Sequence, residues 1–192
     1  MVDCSNKTDE ELVQLILQDQ EFFSCVVSRY EGKMLRYIKR IAGVSDEDAQ
    51  DLLQEIFIKV YKNLNDFDTN LKFSSWLYRI AHNLVISEYR KKQARPQLIG
   101  GEAIDEFLHN VDSGINIEKE INHGDMAKDI EKVLEKMDLK YREILILKFL
   151  EEKDYREISD ILQKPMGTIG TLINRAKRIF IKTAEKMNVN FS

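Results

Sequence analysis

The sequence predicts an all-α protein made of two small helical domains joined by a flexible acidic linker, with a helix-turn-helix in the C-terminal domain. Apolar residues recur at intervals of three and four nearly throughout, which is typical of helices with one buried face. Only 2 prolines and 8 glycines interrupt the 192 residues, and no convincing strand pattern is present. The periodicity fails from Ala94 to about Gly114, and this gap separates two helical groups.

The first helical group is expected to form one bundle over residues 1–93. Its predicted helices span residues 9–18, 21–42, 46–63 and 73–92. Thr8 with Glu11, and Ser45 with Asp48, have the spacing of capping boxes, so they indicate where the first and third helices start.

The linker is assigned to residues 94–124, where Pro96 and the pair Gly100 and Gly101 break the helical pattern. This stretch carries 2 basic and 6 acidic side chains. Further helices are predicted over residues 117–137, 139–151, 155–162 and 167–187, and the second domain over residues 125–192. Its last two helices, with a turn at Gln163 to Met166 between them, have the layout of a helix-turn-helix.

Composition and motifs argue against several classes of protein. The chain is 43% hydrophobic with a formal net charge of -4, as expected of a soluble globular protein. It lacks both the run of about 18 apolar residues that a membrane span needs and a signal peptide, so a cytoplasmic location is expected. Cys4 and Cys25 are expected to be reduced thiols, because their spacing fits no metal site or disulfide framework. No enzyme motif is present, so no catalytic activity, cofactor or metal is expected.

The third predicted helix has an unusual outer face. Ala49, Leu52, Leu53, Ile56 and Val60 share one arc of the helix and are expected to be buried. Asp51, Gln54, Glu55 and Ile58 share the opposite side, so an aliphatic residue stands among acidic ones. This side is either a solvated acidic face or a docking surface for a basic protein partner.

The fourth predicted helix and the loop before it carry groups that suit a nucleic acid. On the helix, Arg79, Asn83, Ile86 and Arg90 share an outward row, in which an amide can read a base edge and guanidinium groups can bind phosphates. A solvated polar face is the alternative. In the loop, Phe67 lies outside any helical stripe, and it either caps the bundle core or stacks on an unpaired base.

The last predicted helix also presents polar groups outward. Ile169, Ile173, Ala176 and Phe180 form its inward stripe, so hydroxyl, amide and basic groups point away from the core, namely Thr171, Asn174, Arg175, Arg178 and Lys182. Such a helix is equipped for the major groove of DNA. The alternative is a plain helix pair with a solvated basic face. Gly170 within this helix is either tolerated at some cost or allows close approach to DNA.

Three segments together resemble bacterial sigma factors of the extracytoplasmic-function class. DAQDLLQEIFIKVYKNLNDF is similar to that family's segment for docking on core RNA polymerase, and KFSSWLYRIAHNLVISEYRKK to its downstream promoter-reading segment. The C-terminal MDLKYREILILKFLEEKDYREISDILQKPMGTIGTLINRAKR resembles the domain that reads the upstream, minus-thirty-five element. The three segments occur in the expected order, which is more specific than any one of them.

The resemblance implies a role for particular residues. Contacts to the beta-prime clamp coiled coil of core RNA polymerase are implied for Asp51, Gln54, Glu55, Phe57 and Ile58. Minus-ten contacts, including a pocket for a flipped base, are implied for Phe67, Asp68, Thr69, Asn70, Lys72, Arg79, Asn83 and Arg90. Minus-thirty-five contacts are implied for Thr168, Gly170, Thr171, Asn174, Arg175, Arg178 and Lys182.

The resemblance also implies partners and leaves alternatives. The implied partners are core RNA polymerase, including its beta flap, promoter DNA and an anti-sigma factor, without insertion into a membrane. The sequence departs from the family at Gly170 and Leu172, where many members have basic residues, so upstream contacts are expected to differ. A dimeric transcription factor, a helical scaffold and a nucleic-acid enzyme are the alternatives, and the docking helix and loop aromatic argue against the first.

Overall fold

The computed structural model describes residue 4 and residues 6–94 and 121–189, all of them in helices, turns or connecting segments. The α-helices are α1 (Asp9–Gln18), α2 (Phe23–Ala42), α3 (Asp46–Lys62), α4 (Phe73–Ala94), α5 (Ile121–Glu135), α6 (Leu139–Leu145), α7 (Tyr155–Leu162) and α8 (Met166–Lys186). Short 3-10 turns cover Gln20–Phe22 and Leu64–Asp66, and a π-helical turn covers Ile146–Leu150. No strand occurs in these ranges, so the prediction of an all-α fold is confirmed.

Helices α1 to α4 form the N-terminal domain around one apolar core. The longest buried face belongs to α2, which packs on α3 and α4 through side chains such as Met34, Ile38 and Ile41, each fully buried. Thr8 and Glu11 form the expected capping box at α1, and the Ser45 hydroxyl accepts a hydrogen bond from the Asp48 N–H at α3. Gly43 ends α2 in the left-handed conformation, with φ of 56°, which a residue without Cβ adopts at little cost.

Helices α5 to α8 form the C-terminal domain, in which α7 and α8 make the helix-turn-helix. The inward residues Ile158 and Ile161 of α7 and Ile169 and Ile173 of α8 are buried, as their spacing predicts. Asp154 and Glu157 form a capping box that starts α7, and Gln163 ends it with φ of 52°. The chain then turns through Pro165 into α8.

Two element boundaries differ from their predictions. The helix expected over residues 139–151 is α-helical only to Leu145 and continues as the π-helical turn. The helix expected over residues 117–137 is described from Ile121 and ends at Glu135, and the predicted linker before Ile121 lies outside the described residues apart from Ala94. The apolar period could not reveal a π-turn, because one wider turn shifts the stripe without breaking it.

The expectation of two reduced thiols is wrong for this structure, because Cys4 and Cys25 form a disulfide. Their Cα atoms are 6.0 Å apart, a separation that disulfides ordinarily span. The N-terminal segment reaches α2 because Arg29 on that helix donates hydrogen bonds to the carbonyl of Lys7 (2.8 Å) and to Asp9 (2.6 Å). This fold-back brings together two cysteines that are 21 residues apart in sequence.

Loss of this disulfide is expected to lower the free energy of unfolding. Cys4→Ser should cost about 2 to 4 kcal/mol, because the cross-link restricts the unfolded chain. Urea denaturation without reductant measures the difference. Dithiothreitol should lower the stability of the wild-type chain to that of Cys4→Ser and leave the variant unchanged; an equal effect on both would contradict the disulfide.

The two domains contact each other directly. Helix α4 of the N-terminal domain packs along α7, and α2 approaches α6. Arg142 of α6, which is 7% exposed, also links the two domains, because its guanidinium donates a hydrogen bond to the carbonyl of Ile41 on α2 at 3.3 Å. Among the described helices, none has the length and apolar content to span a membrane.

Candidate docking and nucleic-acid surfaces

The outer face of α3 carries the predicted docking residues. Asp51, Gln54 and Glu55 are exposed, and Ile58 is 51% exposed although it is aliphatic. Glu55 also pairs with Lys59 one turn later, at 3.6 Å. Because such an exposed pair contributes little to stability, the carboxylate stays available to another cation. An exposed apolar residue, Ile58, is therefore open on this helix, one turn after Glu55 and two turns after Asp51.

Phe57 does not belong to this exposed face. Its side chain is 7% exposed and packs edge-to-face against Phe23, so burial contradicts the expected direct contact with a partner. The sequence contained a signal, since Phe57 follows Leu53 by four residues and continues the buried stripe. Tyr61 was missed: it is 37% exposed, lies one turn after Ile58 and is held by Phe23 at a centroid distance of 5.1 Å.

Phe67 is buried in an aromatic cluster. Its ring lies 5.6 Å from that of Phe73 and 5.4 Å from that of Trp76, and it is 8% exposed. The ring therefore has no open face for a base in this structure, which contradicts the expected base contact. Of the two interpretations of this aromatic, the structure favours the one in which it caps the bundle core.

The loop after Phe67 presents polar groups in a fixed arrangement. The Asp68 carboxylate accepts hydrogen bonds from the backbone N–H of Asn70 at 2.9 Å and from its side-chain amide at 2.8 Å. Asp68, Thr69 and Asn70 are all exposed. With Phe67 anchoring the base of the loop, these groups are ordered before any ligand arrives, which reduces the entropy that binding must overcome.

Helix α4 carries the predicted reading row beside an open groove. Asn83 and Arg90 are exposed, whereas Arg79 is half-buried. The groove is lined by His82, Asn83, Ile86, Ser87, Arg90 and Lys91. Ile86 was expected on the surface row but is 8% exposed, so it forms the apolar floor of the groove. Ser87, one turn after Asn83, adds an exposed hydroxyl that the sequence analysis did not single out.

The outer face of α8 agrees with the predicted row. Thr168, Thr171, Asn174, Arg175, Arg178 and Lys182 are exposed. The Thr171 hydroxyl donates to the carbonyl of Gly167 at 3.0 Å, which leaves its lone pairs outward. A Cβ on Gly170 would meet only the Tyr155 ring, at 3.9 Å, so packing within the protein does not require glycine here.

Arg175 also interacts with Tyr141 on α6 of its own domain. A hydrogen bond from its guanidinium to the Tyr141 hydroxyl lowers the pKa of that tyrosine, because the positive charge favours the phenolate. Tyr141 is buried against the core and lies beneath Lys140, whose Nζ is 4.7 Å from the ring centroid. Arg175 therefore has a partner within its own domain.

One set of contacts between the domains follows α4 and the residue directly before it. Lys72 pairs with Asp154 and Glu157 at 3.5 Å each. Farther along α4, Tyr78 donates to Glu151, and His82 contacts Glu143. None of these pairs was predicted, because the partners are 61 to 85 residues apart in sequence and no local pattern joins them.

The tyrosine hydroxyls in this interface stay protonated and act as donors. Burial, then the nearby carboxylates, raise the pKa of Tyr37 and of Tyr78 far above the usual value. Both therefore donate at any ordinary pH, Tyr37 to Glu143 at 3.4 Å. Burial also lowers the pKa of Lys153, whose Nζ lies 4.5 Å from the centroid of the Tyr78 ring.

Comparison with known families assigns both domains. Residues 26–95 match sigma-70 region 2, and residues 127–179 match sigma-70 region 4. The chain is 34% identical to the ECF RNA polymerase sigma factor SigW of Bacillus subtilis, over 85% of this chain and 89% of that protein. It is 31% identical to the ECF RNA polymerase sigma-E factor of Escherichia coli, over 88% of this chain and 91% of that protein.

Two solved structures share the fold. CnrH, in complex with the cytosolic domain of CnrY, matches with a TM-score of 0.68 at 21% identity, over 94% of this chain and 99% of that one. The sigma factor RpoE, in complex with the anti-sigma factor NepR from Bartonella quintana, matches with a TM-score of 0.62 at 20% identity. The match covers 85% of this chain and 96% of that one. Both domains, their order and their helical architecture agree, and the chain belongs to the extracytoplasmic-function sigma factors of the sigma-70 family, which direct RNA polymerase to promoters.

Proposed function

We propose that the N-terminal domain, residues 1–93, both docks on core RNA polymerase and reads the minus-ten element. The observation that carries this is the presence of two different exposed surfaces on one bundle. On α3, the exposed acidic residues Asp51 and Glu55 precede the exposed Ile58, which suits a basic protein partner such as the beta-prime clamp coiled coil. On α4 and the loop before it, Asn83 and Arg90 offer groups that suit single-stranded DNA.

The reading surface also accounts for promoter opening without a catalytic step. Extruding a base from the duplex costs a few kcal/mol. Two kinds of contact would offset that cost. Asp68 would accept hydrogen bonds from the base edge, and Thr69, Asn70 and Asn83 would donate or accept there, while Lys72, Arg79 and Arg90 would bind phosphates. Because binding energy alone captures the open strand, the chain would need no nucleotide hydrolysis and no enzymatic activity of its own.

The C-terminal domain, residues 125–192, would read the minus-thirty-five element in duplex DNA. Its candidate contacts are the exposed residues Thr168, Thr171, Asn174, Arg175, Arg178 and Lys182, with Gly170 allowing close approach. The same domain would contact the beta flap of the polymerase. An anti-sigma factor is a further proposed partner, supported by the two complexes that share the fold. The proposed location is the cytoplasm, and the residues between the domains, 94–124, would act as the linker.

Reconstitution with core RNA polymerase tests the proposal. The purified chain plus core enzyme should start transcription from a subset of a genomic promoter library that core enzyme alone ignores. Asp51→Lys with Glu55→Lys, on the docking face, should abolish that activity, whereas Glu185→Lys, an exposed glutamate near the end of α8, should retain it. Failure of the wild-type chain to start transcription from any member of the library would refute the proposal.

Asn83→Ala is expected to weaken recognition at one position of the minus-ten element. The loss should be about 1 to 3 kcal/mol at that base, because one bidentate amide contact disappears. Transcription from promoters with all four bases at each position measures the change in preference. Binding to core polymerase should stay constant, and equal loss of both activities would show that Asn83 has another role.

Arg175→Ala is expected to reduce affinity for upstream duplex DNA by about 1 to 3 kcal/mol if the guanidinium contacts a base. The hydrogen bond to Tyr141 must be given up in the complex, so Tyr141→Phe should not weaken binding. Fluorescence anisotropy with upstream promoter duplexes distinguishes the two variants. Equal weakening by Tyr141→Phe would mean that Arg175 acts by supporting the fold rather than by contacting DNA.

A further inference from the structure

The disulfide between Cys4 and Cys25 attaches the segment before α1 to the side of α2. Arg29, one turn after Cys25, strengthens the same attachment. Its guanidinium donates hydrogen bonds to the carbonyls of Cys4 at 3.3 Å and of Lys7 at 2.8 Å. It also pairs with the Asp9 carboxylate at 2.6 Å. The start of α1 is therefore held on α2 by one covalent bond and one arginine.

The start of α1 in turn contacts the start of α4. The Glu10 carboxylate accepts a hydrogen bond from the backbone N–H of Phe73 at 3.4 Å, so a residue of α1 caps the first turn of α4. Tyr30 on α2 connects the same elements, because its hydroxyl donates to Asp9 and its ring packs edge-to-face on Phe73 at a centroid distance of 6.0 Å. Displacing the start of α1 would therefore loosen the residue at which α4 begins.

Phe73 connects these contacts to the proposed base-reading loop, residues 68–72. Its ring lies 5.6 Å from that of Phe67, which anchors the base of this loop. Helix α1 also contacts the 3-10 turn Leu64–Asp66, directly before Phe67. A continuous path of packed groups thus leads from the disulfide to the loop, and the disulfide has two chemical states that can act on it.

The position of the disulfide suits a reversible cross-link. Cys4 is half-buried, whereas Cys25 is 6% exposed, so the Cys4 side of the bond is the more accessible to an incoming thiolate. In the cytoplasm, which is the proposed location, thiol reductants keep most cysteines reduced, and the disulfides that form there are usually transient and redox-sensing. The chain has only these 2 cysteines, so no other thiol of its own competes for the exchange.

We propose that Cys4 and Cys25 form a reversible redox site that a dithiol reductant opens, and that the disulfide form binds the minus-ten strand better because it keeps Glu10 on the start of α4. The effect on binding rests on the proposed reading role of the loop and α4. The regulated property is the order of the loop before DNA arrives, which lowers the entropy lost on binding.

The exchange needs no reactant beyond the dithiol. One thiolate of the reductant attacks the Cys4 sulfur, and the Cys25 sulfur leaves as a thiolate and takes up a proton. The second thiol of the reductant then attacks the mixed disulfide, its proton passes to the Cys4 sulfur, and the reductant leaves as a disulfide. Two electrons have then passed to the chain, and the reverse exchange with an oxidised dithiol restores the cross-link.

Cysteine alkylation followed by intact-mass measurement tests the redox site. Reduced thioredoxin should convert the folded chain from a form with no alkylatable cysteine to a form with two, and oxidised glutathione should reverse the change. Circular dichroism should show the same helical content in both forms. A chain that thioredoxin reduces only after urea has unfolded it, or that glutathione does not reoxidise, would overturn the proposal.

Single-strand binding tests the consequence for DNA. By fluorescence anisotropy, the disulfide form should bind a mixed-sequence strand of about 12 nucleotides about threefold to tenfold more tightly than the dithiol form. The two forms are prepared separately and freed of reagent before the measurement. Cys4→Ser should bind as the dithiol form does after either treatment. Equal affinities of the two wild-type forms, or a response of Cys4→Ser to the treatment, would contradict the proposal.

Glu10→Ala tests the path from α1 to α4. The variant loses the acceptor for the Phe73 N–H, so its two redox forms should bind the strand with nearly equal affinity. Glu21→Ala removes one exposed carboxylate of the same domain and is the charge-matched control, which should keep the full difference. Glu10→Gln retains an acceptor oxygen and should recover the difference although it lacks the charge. A wild-type difference in Glu10→Ala would refute the role of Glu10.

Transcription with core polymerase separates this redox site from the proposed function. If neither redox form starts transcription from any promoter, but reduction is reversible and weakens single-strand binding, the redox site stands and the proposed function fails. If both forms start transcription equally well and bind the single strand equally well, the function stands and the coupling to the disulfide is refuted.

Discussion

Replacing Arg142 with alanine is expected to lower the free energy of unfolding by about 3 to 5 kcal/mol, because several buried carbonyl groups lose their donor. The guanidinium donates to the carbonyls of Leu134 and Glu135, each at 2.9 Å, and of Met137 at 3.2 Å, at the end of α5. It also donates to Ile41 of the other domain. Since helix ends leave such carbonyls unpaired, this arginine terminates α5 and holds it to α6.

Urea denaturation followed by circular dichroism measures the loss. Arg156→Ala is the matched control, because Arg156 is exposed on α7, and its effect should stay within about 0.5 kcal/mol. Arg142→Lys should recover only part of the stability, since one ammonium group cannot reproduce the planar fork of donors. A loss below about 1 kcal/mol for Arg142→Ala would mean that water satisfies the carbonyls.

The sequence predicted the helices well because their information is local. Capping at Thr8 and the apolar period located α1, and the inward stripe of α8 was confirmed at Ile169 and Ile173. The disulfide and the contacts between domains could not be predicted in this way. They depend on fold-back and on pairs such as His82 and Glu143, which are brought together only when the domains have formed.

The errors in the predicted surfaces were residues that were expected to be exposed but are buried. Helical projection separates opposite faces but not neighbouring positions near the edge of a stripe, so Ile86 was placed outward although it is buried. Phe57, which the family resemblance placed among the docking contacts, is buried as well. For Phe67 no periodicity applies, because it lies in a loop. Its contact with Phe73 and Trp76 depends on how the loop returns to the bundle.

Burial of Phe67 changes how the loop is expected to work. The ring does not offer a stacking face; instead it fixes the position from which Asp68, Thr69 and Asn70 extend. The loop is therefore linked to the stability of the aromatic cluster beneath it, and disrupting that cluster should impair both folding and base recognition.

Phe73→Ala is expected to produce that double effect and to lower the free energy of unfolding by about 3 to 5 kcal/mol. Phe73 is fully buried and contacts Tyr30 and Phe67 edge-to-face, at centroid distances of 6.0 and 5.6 Å. Alanine would leave a cavity under the loop as well as remove these ring contacts. Trp76 is the single tryptophan of the chain and lies 5.8 Å from Phe73, so its fluorescence reports unfolding of this domain during urea denaturation.

Two control variants distinguish the effect of a cavity at Phe73 from the effect of losing apolar surface anywhere in the domain. Leu17→Ala removes a side chain that is 48% exposed in the same domain, so its effect should be within about 0.5 kcal/mol. Phe73→Leu fills most of the cavity, so it should lower the free energy of unfolding by less than Phe73→Ala does. The base preference at the minus-ten element, measured by reconstituted transcription, should likewise fall less for Phe73→Leu than for Phe73→Ala. If Phe73→Ala destabilised the domain but left that preference unchanged under conditions where it stays folded, the loop would be ordered independently of the aromatic cluster.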